Sequence, residues 1–357
     1  MDMTMNKYLG SAVCGVLVTV TGFLIWSVAQ GHPLVGRSPG DVPDKLAGFS
    51  ALVHFTPAEV QALKAGQPVS KPLESDDREV RVFGAVWINA PVSKYVEAIN
   101  HIERLEQGDG FQITRRISDP PRLEDFADLQ LPEGDVQELK KCRPGKCDIK
   151  LDEYAINRIQ NEVDWSKPTA TEDVNALVRQ LALRYVTAYQ QGGNKKLGIN
   201  RDKSRPTDVA KEFEEMINAM PVLAQREPAL RQYLLDYPNA TIPNSTSFFY
   251  WQRVNFGLKP VIRMNHVVTT ANAERVLVAS KQIYASHYFW TALEIRDLIP
   301  DPSRGNGFWF VDVSSGRAGT LASFKGKMIR GRVQKEALKG LAAGMERTKS
   351  LLEQETR

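Results

Sequence analysis

What the chain lacks narrows its chemistry first. No Gly-x-Ser-x-Gly elbow stands between a strand and a helix, no Gly-Lys-Ser/Thr loop is there to cradle a phosphate, and no dinucleotide fingerprint opens a helix. These gaps remove the common signatures of serine hydrolases, nucleotide hydrolases and nicotinamide enzymes. Histidine is scarce as well. His32, His54, His101, His266 and His287 are scattered, with no His-x-x-x-His pair or carboxylate cluster, so neither a metal nor another cofactor is expected. Neither charge sign dominates: 46 Lys and Arg against 42 Asp and Glu leave a net +4 over 357 residues, too mild to mark a nucleic-acid partner. There is no internal repeat and no low-complexity tract.

What is present begins at the N-terminus. Tyr8 to Ala29 carries no charge and follows Lys7, and a helix of that length just crosses a hydrocarbon core of roughly 30 Å. The run is longer than a usual signal h-region, and Trp26 near its outer end suits a retained anchor. Ser27-Val28-Ala29 equally suits cleavage before Gln30. Either way the expectation is a body outside the cytoplasm: a single-pass cell-membrane protein held through residues 8–29 with its C-terminal body on the periplasmic side, or a protein secreted to the periplasm.

Three cysteines are present. Cys14 lies in the apolar run without a lipid-attachment context, which leaves Cys142 and Cys147 in KCRPGKCD. In an oxidising compartment a Pro-Gly turn between two cysteines favours a small disulfide loop, with two free thiols on a turn as the alternative.

Along the chain, residues 1–30 form the anchor or signal segment and 31–50, rich in Gly and Pro, a linker. Thr56-Pro57-Ala58-Glu59 spells a capping box at a helix start. Residues 79–89 read as a strand, and Pro91 opens an amphipathic helix carrying Val92, Val96, Ile99, Ile102 and Leu105. Phe111 to Ile117 is a second strand. From about 120 to 244 the spacing turns helical, and this block, which contains the Cys142/Cys147 loop, reads as an insertion. Strands resume in 245–313, with a run through RVLVASKQIYASHYFWTALEIRDLI, and Phe324 to Glu353 closes the chain as one helix. On an unbroken strand Gln282, Tyr284, Ser286 and Tyr288 would share one face and Lys281, Ile283, Ala285 and His287 the other. The start of the last helix is basic, with Lys325, Lys327, Arg330, Arg332, Lys335 and Lys339.

The stretch VWINAPVSKYVEAINHIERL at 86–105, an apolar strand followed by Ala-Pro and a Val-x-x-x-Ile helix, resembles the opening of the START-like, or helix-grip, superfamily. The long last helix matches the element that such folds grip. The resemblance covers about 78–118 and 245–354, is architectural, and carries no catalytic signature. It implies an α+β fold in two parts, 51–119 and 245–357, with an antiparallel sheet gripping the C-terminal helix, and with the 120–244 helices inserted where the family has short connections. It also implies an apolar cavity between sheet and helix for a lipid or similar hydrophobic molecule, to be carried or sensed. Trp251, Arg253, Tyr284, His287, Tyr288 and Trp290 are the candidate ligand-binding residues, drawn from the aromatic-rich strands.

Two alternatives stand beside that reading. One is an enzyme on the same fold acting on a lipid- or polyketide-like substrate, with Tyr284 or His287 as acid or base and Arg253, Arg263 or His266 on an anionic head group. The other is a membrane-tethered assembly protein without a cavity, whose insertion docks a protein partner. Binding is expected ahead of catalysis.

Overall fold

The computed structural model describes residues 42–354 apart from 109, 256–258 and 323–325. The apolar run 8–29, Phe256 and Lys325 lie outside the described residues. Among the described residues no helix is long and apolar enough to cross a membrane.

Helix α1 (Pro57–Lys64) starts at the expected capping box: the Glu59 amide donates to Thr56 Oγ1 at 3.3 Å and the Thr56 amide donates to Glu59 Oε2 at 2.7 Å. Next come β1 (Val69–Leu73), which periodicity alone does not announce, and β2 (Glu79–Ile88). All ten residues of β2 are buried. A strand with no wet side needs cover on both faces, and its continuous apolar run, rather than a clean alternation, already carries that demand. Helices α2 (Val92–Asn100) and α3 (Ile102–Leu105) lead to β3 (Phe111–Ile117).

Between β3 and the next long strand lie α4 (Glu133–Lys141), α5 (Glu153–Glu162), α6 (Ala170–Gly192), the two-residue strands β4 (Ile199–Asn200) and β5 (Thr207–Asp208), and α7 (Val209–Asn218), α8 (Pro221–Arg226) and α9 (Pro228–Asp236). Asp152 and Asp208 cap α5 and α7, accepting from the amides of Ala155 and Lys211. Cys142 and Cys147 are joined in a disulfide. The chain then forms β6 (Ser245–Asn255), β7 (Pro260–Ala271), β8 (Val276–Ala285), β9 (Thr291–Pro300), β10 (Phe308–Arg317) and α10 (Gly326–Gln354).

The fold is α+β. Eight strands make one antiparallel sheet in the order β1-β2-β10-β9-β8-β7-β6-β3. Even-numbered residues of β2, among them Val86 and Ile88, pack with Tyr95, Ile99, Met345 and Leu352 of α2 and α10. Odd-numbered ones, Phe83 and Trp87, pack on the opposite face in a core that includes Tyr189, Phe213 and Leu223 of α6, α7 and α8. The sheet is thus a middle layer.

α10 sits close to β2 because position 84 is glycine: a Cβ there would fall 2.7 Å from the Met345 methyl. Farther along α10, Lys349 donates to the Trp87 carbonyl at 2.9 Å while the Arg347 guanidinium lies 5.6 Å from the Phe111 ring. One helix therefore touches β2 and β3, which lie far apart in the strand order.

The helices between β3 and β6 are locked to the sheet by buried charge. Arg317, fully buried at the end of β10, reaches Glu212 at 2.9 Å and Glu215 at 3.0 Å on α7, Asp76 at 2.9 Å, and Glu79 at 3.6 Å. Arg78 also pairs with Glu212 and Glu215, and Arg81 with Glu79. Removing one partner of such a group strands uncompensated charge in low dielectric, at about 3–5 kcal/mol. Arg317→Met is expected to lower the unfolding free energy by about that amount in urea titrations; a loss within about 0.5 kcal/mol, the range of an ordinary surface substitution, would show that the cluster does not lock α7.

The unbroken strand expected from 275 to 299 is interrupted. β8 ends at Ala285, a turn follows, and Tyr288 adopts φ 59°. His287 and Tyr288 are therefore turn residues, and the expected shared face of Gln282, Tyr284, Ser286 and Tyr288 does not form.

Candidate functional site

The register of β7 and β8 explains how a cavity arises. Asn265 pairs with Gln282 and Met264 with Tyr284, so Ile283 is an extra residue in β8. The bulge turns Tyr284 onto the face opposite Gln282. It also leaves the Ile283 carbonyl to accept from the Tyr185 hydroxyl of α6 at 2.6 Å. Tyr185 and Tyr284 meet edge to face, with centroids 5.9 Å apart.

Around this pair, between the sheet and α4, α5 and α6, lies a cavity of about 90 Å3. Its wall is mostly aliphatic, with Leu139, Leu181, Val178, Met264 and Ile283 prominent, and Trp290 also lines it. Polar groups at its edge are already engaged: Asp152 caps α5, Ser286 Oγ accepts from the Ile262 amide at 3.1 Å, and Arg184 stacks 3.9 Å from the Tyr154 ring. The Tyr284 hydroxyl has no hydrogen bond among the described residues, and burial pushes its pKa up, keeping it a neutral donor.

Of the six expected ligand residues, Tyr284 and Trp290 line this cavity. The others hold neighbouring segments in place. Trp251 Nε1 donates to the Asp125 carbonyl at 2.8 Å, and Arg253 donates to the Gln130 carbonyl at 3.1 Å. His287 places Nε2 3.0 Å from both Asp135 carboxylate oxygens and Nδ1 3.1 Å from the Asp148 carbonyl, tying α4 and the disulfide loop to the end of β8. The Tyr288 hydroxyl accepts from the Lys259 amide at 2.8 Å. An acid or base at His287 would need a free nitrogen; both are occupied.

The cavity is not where the resemblance puts it. The sheet face beneath α2 and α10 carries a polar band in its middle. Glu106 accepts from Tyr250 at 3.3 Å and from Gln252, whose Oε1 takes Arg263 Nε at 2.9 Å, and Arg296 donates to Asp312 at 3.2 Å. Burial raises the pKa of Glu106 and lifts that of Asp312 to about 6. Beside them the Asn265 Nδ2 and both amide atoms of Gln282 are buried without a partner among the described residues. Charged and amide groups thus occupy the middle of this face, among apolar residues such as Val86, Phe248, Val267 and Phe310. The hollow lies on the other face, and sequence reasoning missed its walls in α6. The signal available was Tyr185, an aromatic in the Leu-Val stripe of α6, one turn before Tyr189.

On that same other face Lys281 and His266 are buried among aromatics. His266 stacks on Phe249 at 4.5 Å, and the hydroxyls of Tyr189 and Tyr233 each lie 3.4 Å from one of its nitrogens. The Lys281 ammonium lies 3.8 Å from the Phe213 ring and bonds Asn194. Among the described residues no group of three or more His, Cys, Asp or Glu side chains is placed to hold a metal ion. Compared with protein-family models, curated proteins and solved structures, the chain matches none.

Burial, helped by Lys281, lowers the His266 pKa from 6.5 to about 3. The folded protein keeps His266 neutral while the unfolded chain takes up a proton below about pH 6.5, so stability from this group is complete above that pH and is lost toward pH 3. Urea midpoints should therefore fall between pH 6.5 and 4 more steeply for wild type than for His266→Gln. Equal slopes would remove His266 from the acid response.

Proposed function

We propose that the protein is an envelope-located, START-like binding module that holds a small hydrophobic molecule, or the apolar end of a larger one, against Tyr284 and Trp290. The observation that carries this reading is the aliphatic cavity between the sheet and α4–α6, with one aromatic hydroxyl left free to orient a guest. Ligand sites are commonly concave and apolar with a few placed polar groups. An engineered apolar cavity of 150 Å3 takes benzene, so about 90 Å3 suits a guest or moiety of a few carbons.

The helix-grip resemblance is supported by strand order. β2 and β3 flank β10-β9-β8-β7-β6, α2 and α3 connect them, and the final helix contacts both. In this reading the 120–244 helices are an insertion that covers the second face and moves the apolar site there. A setting in the cell membrane, with the body on the periplasmic side, accords with the apolar run 8–29 and with a disulfide of the kind kept in oxidising compartments. Binding, with transport or sensing as its purpose, accords better than catalysis with a His287 whose two nitrogens are both engaged.

The test is mass spectrometry of organic extracts from purified full chain, beside Ala182→Leu, which fills the cavity wall on α6. Wild type is expected to carry a stoichiometric apolar molecule, and the variant at least tenfold less. Wild type is also expected to gain thermal stability from added benzene. An empty wild type whose unfolding temperature does not respond to benzene would sink the reading.

A further inference from the structure

On α10 the described surface carries a different chemistry. Met328 is 86% exposed, the most open of the large hydrophobic side chains described, and its neighbour Ile329 is 43% exposed. Arg332, Lys335 and Lys339 are exposed as well. At about 100° per residue, Met328, Arg332, Lys335 and Lys339 fall within an arc of about 60° and extend about 17 Å along the helix. The opposite side of the helix carries Val333, Ala337 and Leu341, packed against Val80, Val82 and Leu321. The stripe therefore points away from the body. Among the described residues none of its three cations has an ion-pair partner, whereas Arg330, off the stripe, is tied to Ser75. Glu336 is the acidic neighbour within this segment and lies beside the stripe rather than on it.

We propose that this stripe is a docking surface for an anionic lipid bilayer, with the cations among the head groups and Met328 entering the interface. The pairing of charge with an apolar end decides the partner. Cations alone suit any anionic polymer, but a large apolar side chain held in water at the end of a cationic row gains only where hydrocarbon lies beneath the phosphates. Each cation near an anionic leaflet favours the bound state about fivefold, so three give about a hundredfold. That is weak for a free protein and ample for one already attached by a second signal. The run 8–29 is expected to supply such a signal, and the proposal requires nothing of the cavity.

The test uses the full chain with Cys14→Ser and Met328→Cys, labelled at the new thiol with bimane under non-reducing conditions and reconstituted into vesicles bearing a nitroxide-labelled lipid. In vesicles with about one third phosphatidylglycerol, bimane is expected to be quenched at least twofold. The quenching is expected to vanish in pure phosphatidylcholine, in high salt, and in the Arg332→Glu, Lys335→Glu, Lys339→Glu combination. The same label on Lys167→Cys, in place of Met328→Cys and exposed on the helical segment, should stay unquenched throughout and report that this side of the body remains outside the bilayer. Equal quenching at 328 in neutral and anionic vesicles, or none in either, would overturn the proposal.

Discussion

The fold depends on a sheet that is apolar on both faces. β2 illustrates the constraint: Val86 and Ile88 need one helical layer, Phe83 and Trp87 another. Helices α2, α3 and α10 supply the first. Among the described residues the N-terminal part, with Leu46, Phe49 and α1, covers some of the second near β2, and the segment between β3 and β6 covers the rest. Without α6–α9, Phe249, which Tyr189 of α6 meets edge to face, would face water, a loss of roughly 1.5–3 kcal/mol. The helical block is therefore structural before it is anything else, and the cavity is a place where its cover leaves room.

Two covered faces also mean that every polar group within the sandwich must find its partner inside it. Arg317 meets acids from α7 and β2, and Arg275 bridges Glu227 and Asp297. The Lys281 ammonium rests on Phe213 and bonds Asn194. These contacts join elements far apart in sequence and tie the helices between β3 and β6 to the sheet. The same demand makes the unpartnered amides of Asn265 and Gln282 conspicuous beneath α10.

Local features were legible in the residues. The capping box at Thr56, the strand at 79–89, the helix opened by Pro91, the disulfide pair and the long last helix all arise from neighbours within a few positions, and each is present, although the helix expected through Leu105 breaks at His101 into α2 and α3. The α+β class and antiparallel sheet follow from that order. β1 escaped notice because VSKPL lacks alternation and holds a proline, tolerated here on an edge strand. The location of the cavity was not legible. It depends on one unpaired residue in β8 and on Tyr185, about a hundred positions away, accepting the role of partner. Equally, His287 resembles a reactive group in a linear reading, and only Asp135 and Asp148 brought beside it by folding reveal a clamp.

The bulge at Ile283 gives β8 two alternation frames, one before it and one after. Upstream, Ser280 and Gln282 point toward α10; downstream, that parity passes to Ala285, while Tyr284 points toward α6. A change in length by one residue here would exchange the inside and outside assignments of everything up to the turn without altering any side chain's chemistry. Ordinary substitutions sample the wall of the cavity one residue at a time, whereas a single-residue deletion would transfer its aromatic hydroxyl to the other side of the sheet. For this strand, residue count is as much a determinant of binding as residue identity.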